Sequence, residues 1–288
     1  MSTVHLVECP RDAMQGWPTI IPVEQKIEYL NSLLRVGFQT LDFGSFVSPK
    51  AIPQMADTRF VLPQLELHDT KTELLAIVAN VRGALDALEY EQIRYLGFPF
   101  SVSETFQQRN TNSSIQESLA TVAEMQTLCV RKRKKLVVYL SMGFGNPYGD
   151  EWNEQIVFKW AEKLVDMGIT IISLADTVGL ATADQVGTIT GYLIKALPDT
   201  EIGVHLHSTP FNWQEKVDAA LQAGCLRFDG ALKGIGGCPM ADDVLVGNMN
   251  TELMIPYFES KGMLPPLDQH ALTYSLKLAD RIFGKTHR

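Results

Sequence analysis

No stretch of this 288-residue sequence approaches the ~20 apolar residues of a helical membrane span, so a bilayer is not an expected partner. Cysteine is scarce. Its four residues, Cys9, Cys129, Cys225 and Cys238, show no paired spacing, which argues against a disulfide framework. Basic residues are in deficit, 25 Lys and Arg against 33 Asp and Glu, for a net charge of -8 and a pI near 5.3. That balance excludes nucleic acid as a general partner, because phosphate contacts demand a basic surface. A phosphorylated cofactor needs only a few local cations and stays open. The first fourteen residues lack the basic start and long apolar stretch of a signal peptide, and carry Glu8, Arg11 and Asp12 instead. A reducing, cytoplasmic setting is expected.

Linkers and low-complexity segments are also missing, so residues 1–288 read as one domain. Short β-branched or aromatic runs alternate with segments of helical period. Candidate strands cover 4–8, 39–43, 74–79, 93–97, 136–141, 169–174, 202–207 and 226–230. Ile156, Val157, Trp160, Leu164 and Val165 recur at helical spacing between two of them, as do Ile115, Leu119 and Val122. Ser114 with Glu117 reads as a capping box, Thr182 with Gln185 opens another helix, and Thr209-Pro210 places a cap and first-turn proline on a third. Eight strands alternating with helices predict an α/β fold, a single (β/α)8 TIM barrel, with extra C-terminal helices over 253–261 and 271–283. The competing doubly wound sheet would place a G-x-G-x-x-G after its first strand, and none is there.

Catalytic groups of such barrels sit where strands end. Arg11 and Asp12 follow the first strand, Asp42 and Ser45 close the second, and Ser173 and Asp176 end the sixth. His205 and His207 end the seventh, two residues apart and so on one face of a strand. Two converging imidazoles suit a divalent metal, with oxygen ligands from Asp12 and Asn248; a pair of hydrogen-bonded core histidines is the alternative. An imidazole that titrates near neutrality also suits a proton carrier. After the eighth strand, Gly236-Gly237-Cys238 puts a cysteine on a loop whose glycines allow close approach to a ligand. A packed structural thiol is the alternative there, and it fits Cys9, Cys129 and Cys225 better.

These positions carry a family resemblance. Val7-Glu8-Cys9-Pro10-Arg11-Asp12 resembles the V-E-V-G-P-R-D opening of 3-hydroxy-3-methylglutaryl-CoA (HMG-CoA) lyases. Ser45-Phe46-Val47-Ser48-Pro49-Lys50, with Pro53-Gln54-Met55, is similar to their S-F-V-S-P-K-x-x-P-Q-M. Ile172-Ser173-Leu174-Ala175-Asp176-Thr177-Val178-Gly179 is similar to I-S-L-G-D-T-I-G, and Gly234 to Pro239 resembles G-L-G-G-C-P. The matches fall in order along nearly the whole chain. By resemblance, the reaction is retro-Claisen cleavage of an HMG-CoA-type thioester to acetyl-CoA and a keto acid such as acetoacetate. The implied cofactor is Mg²⁺ or Mn²⁺ on Asp12, His205, His207 and Asn248. The resemblance also implies His205 as base, Arg11 as enolate stabiliser and Cys238 as proton donor. Asp42 and Asp176 would orient the cationic groups and the base; Arg11, Gln15, Ser45, Ser173 and Gly237 would contact substrate. A homodimer is expected, and an acyl-CoA is the partner.

The chain departs from the family in places. R-D-G-L-Q-N-E is here Arg11-Asp12-Ala13-Met14-Gln15-Gly16-Trp17, and the glutamate ending strand 2 is Asp42. H-x-H-D is His205-Leu206-His207-Ser208, without the glycine that follows in the family, and the aromatic after C-P is Met240. The metal and reaction groups are kept while the acyl pocket is altered, which points to weak activity on HMG-CoA or preference for another acyl group. Two other readings stand. One is a related aldolase or Claisen-type condensing enzyme; the condensing enzymes carry a long C-terminal regulatory region, and this sequence ends at residue 288. The other is a non-catalytic ligand-binding barrel, against which the retained site residues argue. The basic run Arg131-Lys132-Arg133-Lys134-Lys135 falls before the fifth strand, at the face away from the chemistry, and reads as a solvated helix end.

Overall fold

A computed structural model describes residues 2–237 and 247–284. Eight parallel strands close a barrel in sequence order: β1 (His5–Glu8), β2 (Thr40–Ser45), β3 (Glu73–Ile77), β4 (Ile93–Ser101), β5 (Lys135–Ser141), β6 (Ile171–Ala175), β7 (Glu201–His205) and β8 (Arg227–Gly230). Pairing of His5 with Arg227 through Glu8 with Gly230 shuts the ring. The helices are α1 (Pro10–Gln15), α2 (Val23–Val36), α3 (Thr58–Val61), α4 (Val81–Ala87), α5 (Glu104–Thr111), α6 (Ile115–Arg131), α7 (Glu154–Asp166), α8 (Ala183–Ala196), α9 (Trp213–Gln222), α10 (Thr251–Ser260) and α11 (Gln269–Phe283). This is the (β/α)8 barrel that the alternating pattern predicts, with the two C-terminal helices.

Each candidate strand falls on an observed one. Strand β4 continues past residue 97 because its pairing with β5 stays in register from Tyr95–Lys135 to Ser101–Ser141. Both capping boxes form, Ser114 with Glu117 and Thr182 with Gln185. The third expected cap is wrong. Oδ1 of Asn212 accepts from the Thr209 amide and hydroxyl, so 209–212 closes as a turn and α9 starts at Trp213. Strand β7 ends at His205; His207 lies beyond it, in an isolated antiparallel bridge with Asn248.

The main apolar core lies between strands and helices, and a smaller cluster of Leu75, Tyr95, Val137, Tyr139 and Ile171 fills the barrel. Packing there is tight: a β-carbon on Gly97 would lie 2.5 Å from Ile77 Cδ1 and 3.0 Å from the Tyr139 ring. Helix α11 closes over α2 through the buried Ser275–Ser32 hydrogen bond and the edge contact of Phe283 with Tyr29. The run 131–135 ends α6 and begins β5 at the N-terminal face, mostly exposed, as expected of a solvated helix end. Among the described residues no helix is long and apolar enough to cross a membrane.

Candidate active site

Chain geometry after β1 aims two charges at the barrel mouth. Pro10 occupies the first turn of α1, where its missing N–H costs nothing, and the helix carries Arg11 and Asp12 into burial. Arg11 lies between two carboxylates: Nη1 donates to Asp12 at 2.8 Å, and Nε to Asp42 at 3.0 Å. Burial opposes its charge, but Asp42 and Asp12 outweigh that and keep the guanidinium firmly protonated. Asp12 also accepts from Gln15 at 2.7 Å and from the Asn248 amide at 2.7 Å. Burial would raise its carboxyl, yet Arg11 and the neighbouring histidines hold it at about 2.

Ligand atoms of Asp12, His205 and His207 all lie within 4.8 Å of one another, and all three residues are deeply set. Asn248 Nδ2 is spent on Asp12 and the Ile235 carbonyl, which leaves its buried Oδ1 without a partner among the described residues. A buried acceptor left open is costly unless something completes it. One carboxylate, two imidazoles and one amide oxygen fit a divalent cation. Burial and the neighbouring His205 lower His207 to about 4, so it is a neutral imidazole able to serve as a ligand near pH 7. His205 is raised instead: burial opposes this, but the hydrogen bond and charge of Asp229 prevail.

The glycine loop touches this group. Gly236 has φ +119, and a β-carbon there would collide with the Asn248 amide and lie 3.1 Å from the Asp12 carbonyl oxygen. Gly237 is buried with φ +135. Cys238 and Met240 lie outside the described residues.

The remaining sequence-derived residues divide. Asp42 is fully buried and accepts hydrogen bonds from Arg11. Asp176 does not reach the His205 ring. Its carboxylate binds Lys216 Nζ at 2.8 Å and the Ala181 amide at 3.0 Å, while its backbone N–H donates to the His205 carbonyl. The orientation of His205 by Asp176 is therefore corrected: Asp176 fixes the backbone around the histidines, and Asp229 on β8 holds the ring, 3.2 Å from Nδ1. Ser45 and Ser173 are buried with hydroxyls unpartnered among the described residues, and neither lines the main cavity. That cavity, about 420 Å³, opens over Arg11, Asp12, Gln15, His205 and His207 and is walled by Ile77, Ala79, Pro99 and Phe106.

Asp229, Tyr139 and Lys216 were not found from sequence. The Tyr139 ring meets His205 edge-on, with centroids 5.7 Å apart. The available signal was strand periodicity: Asp229 lies two residues beyond Arg227, and both are buried.

An HMGL-like family signature matches residues 5–278. The chain belongs to the HMGL-like family. Hydroxymethylglutaryl-CoA lyase of Bacillus subtilis is 33% identical over 96% of this chain and 91% of its own length. The (R)-citramalyl-CoA lyase of Chloroflexus aurantiacus is 30% identical over 94% of this chain and 88% of its own. Among solved structures, an HMG-CoA lyase from Acinetobacter baumannii in complex with coenzyme A and 3-methylmalate superposes with a TM-score of 0.90 at 31% identity, covering 98% of this chain and 92% of that one. As an HMGL-like protein the chain is an enzyme, a carbon–carbon lyase.

Proposed function

We propose that this HMGL-like lyase cleaves a 3-hydroxy-3-methylglutaryl-CoA-type thioester to acetyl-CoA and a keto acid, acetoacetate in the parent case. The observation that carries the reading is the convergence of Asp12, His205, His207 and the open Asn248 Oδ1 beside Arg11 under one cavity. Those four residues would hold Mg²⁺ or Mn²⁺, which when bound polarises the substrate's hydroxyl and acyl oxygens. Relatives named for HMG-CoA and citramalyl-CoA, and a similar structure holding coenzyme A, support an acyl-CoA partner.

Arg11 stays charged between Asp12 and Asp42 and lines the cavity, so it can meet the negative charge that grows on the thioester oxygen as C2–C3 breaks. Because Asp42 and Asp12 already fix the guanidinium, little reorganisation accompanies that step. Cys238, two residues past Gly236 in sequence, is assigned to return a proton to the acetyl carbanion. Nδ1 of His205 is engaged by Asp229, leaving one ring nitrogen for both roles suggested by sequence. We assign that nitrogen to the cation; it can accept the hydroxyl proton only when off the metal.

A second substrate, citramalyl-CoA or a bulkier 3-substituted analogue, is favoured by the relative named for citramalyl-CoA and by the apolar part of the cavity wall. A cleavage screen over several 3-hydroxyacyl-CoA thioesters with added Mg²⁺ or Mn²⁺ tests the reading. Metal-dependent release of acetyl-CoA from HMG-CoA or a close analogue is expected. No cleavage of any thioester by the metal-loaded protein would overturn it.

A further inference from the structure

Pairing of β7 with β8 matches Gly203 to Arg227 and Val204 to Phe228. Parallel strands keep that step, so two residues on, His205 falls beside Asp229. The imidazole Nδ1 lies 3.2 Å from Asp229 Oδ2, and the Asp229 side chain is wholly buried. A carboxylate can only accept, so Nδ1 is the ring nitrogen that carries hydrogen. Asp229 Oδ1 has no hydrogen-bond partner among the described residues.

This is an expensive way to fill space. A buried carboxylate with one side-chain bond carries the penalty of a poorly solvated ion, which an apolar residue would avoid. The barrel makes specific provision for it. Arg227, two residues earlier and buried, supplies opposing charge from below. A β-carbon on Gly203 would lie 2.8 Å from the Arg227 side chain, so glycine is what admits the arginine to the interior. Arg227 is tied in turn to His5 at 3.2 Å and Glu201 at 3.5 Å. A charged column thus runs up the barrel and ends at the Nδ1 edge of one imidazole.

We propose that Asp229 is a positioning residue that locks His205 as its Nδ1–H tautomer and fixes the ring plane, so that Nε2 alone is presented to Asp12 and His207. This rests on the reading of His205 as a cation ligand. A carboxylate behind a ligand imidazole sets which nitrogen is free and raises its donor strength, and losing it typically costs ~10–100-fold in metal affinity.

The test uses the full chain labelled with ¹⁵N-histidine. In the metal-free wild type at pH 8, long-range ¹H–¹⁵N spectra should show His205 protonated on Nδ1 and bare on Nε2. Asp229→Asn, whose amide can donate to Nδ1 as well as accept from it, should mix the tautomers and weaken Mn²⁺ binding ~10–100-fold. Its circular dichroism should match the wild type, which separates positioning from folding. Wild-type His205 protonated on Nε2 overturns the proposal even if the variant does not fold. So does a folded Asp229→Asn with unchanged tautomer and unchanged Mn²⁺ affinity. Failure of the wild type itself to bind Mg²⁺ or Mn²⁺ would instead strike the reading of the site as a metal centre.

Discussion

Gly236 lies against Asn248 so closely that no side chain fits between them: a β-carbon on the glycine would collide with the Asn248 amide. The same atom would press on the Asp12 backbone, and φ of +119 disfavours any residue but glycine. The glycine loop is therefore part of the ligand geometry, because Asn248 can offer Oδ1 only while its amide hydrogens reach Asp12 and Ile235.

Gly236→Ala should accordingly weaken Mn²⁺ binding by at least ~10-fold, in the range seen when a ligand's support is lost. Barrel stability should change little, since the strain falls on a loop at the barrel mouth. His207→Ala is the reference, and should retain no metal after dialysis because too few ligands remain. Titration of Mn²⁺ with both proteins, alongside thermal melts, checks the order. Wild-type affinity in Gly236→Ala would detach the loop from the metal site.

A second prediction concerns Glu8, buried at the end of β1 with its oxygens on the Leu232 amide and the Thr251 hydroxyl. Burial lifts its carboxyl from 4.5 to about 8 against those two hydrogen bonds. Below 4.5 the carboxyl is protonated folded or unfolded. Between 4.5 and 8 only the unfolded chain releases the proton, so stability from this residue is lost as pH rises, by up to about 1.4 kcal/mol per pH unit. Glu8→Gln mimics the protonated form. Its melting temperature should match the wild type near pH 4.5 and exceed it increasingly towards pH 8. A constant difference across that window would show that Glu8 does not titrate there.

Much of the barrel was legible because its signals are local. Each strand is a short apolar run, and the caps at Ser114 and Thr182 are contained within four residues. The start of α9 was misread because Pro210 looks like a first-turn proline, while Asn212 turns back to Thr209 and delays the helix. The site was legible where motif order carried it, at Arg11, Asp12 and the two histidines. Asp229 was not, since an acid inside a strand points inward or outward according to how the barrel closes, and β7–β8 register decides that. Nor was the partner of Asp176: Lys216 arrives from a helix forty residues further on.

Cys238 offers a sharp separation of roles. A thiol with an ordinary pKa near ~8.5 is a usable acid toward a carbanion, and a serine hydroxyl is far weaker. Cys238→Ser should keep its Mn²⁺ affinity and KM while kcat falls ~10²–10⁴-fold, the weight of a positioned acid. Loss of metal would make the cysteine a ligand, and unchanged kcat would make it structural.

Arg11 needs a compensated test, because removing it does two things. Arg11→Met withdraws the charge that meets the enolate, and it also strands Asp42, which is fully buried and whose side-chain hydrogen bonds among the described residues come from Arg11. An uncompensated buried carboxylate costs ~3–5 kcal/mol, so the single variant should melt well below the wild type. Asp42→Asn added to Arg11→Met removes that stranded charge and should recover much of the melting temperature. Cleavage should not return with it, since the enolate still lacks its cation; kcat should stay ~10²–10³-fold down, as when one oxyanion donor is lost. Melting curves and single-turnover rates on the double variant decide the matter. Recovery of stability together with rate would place Arg11 in the scaffold and leave the enolate to the metal. Stability without rate places it in the chemistry.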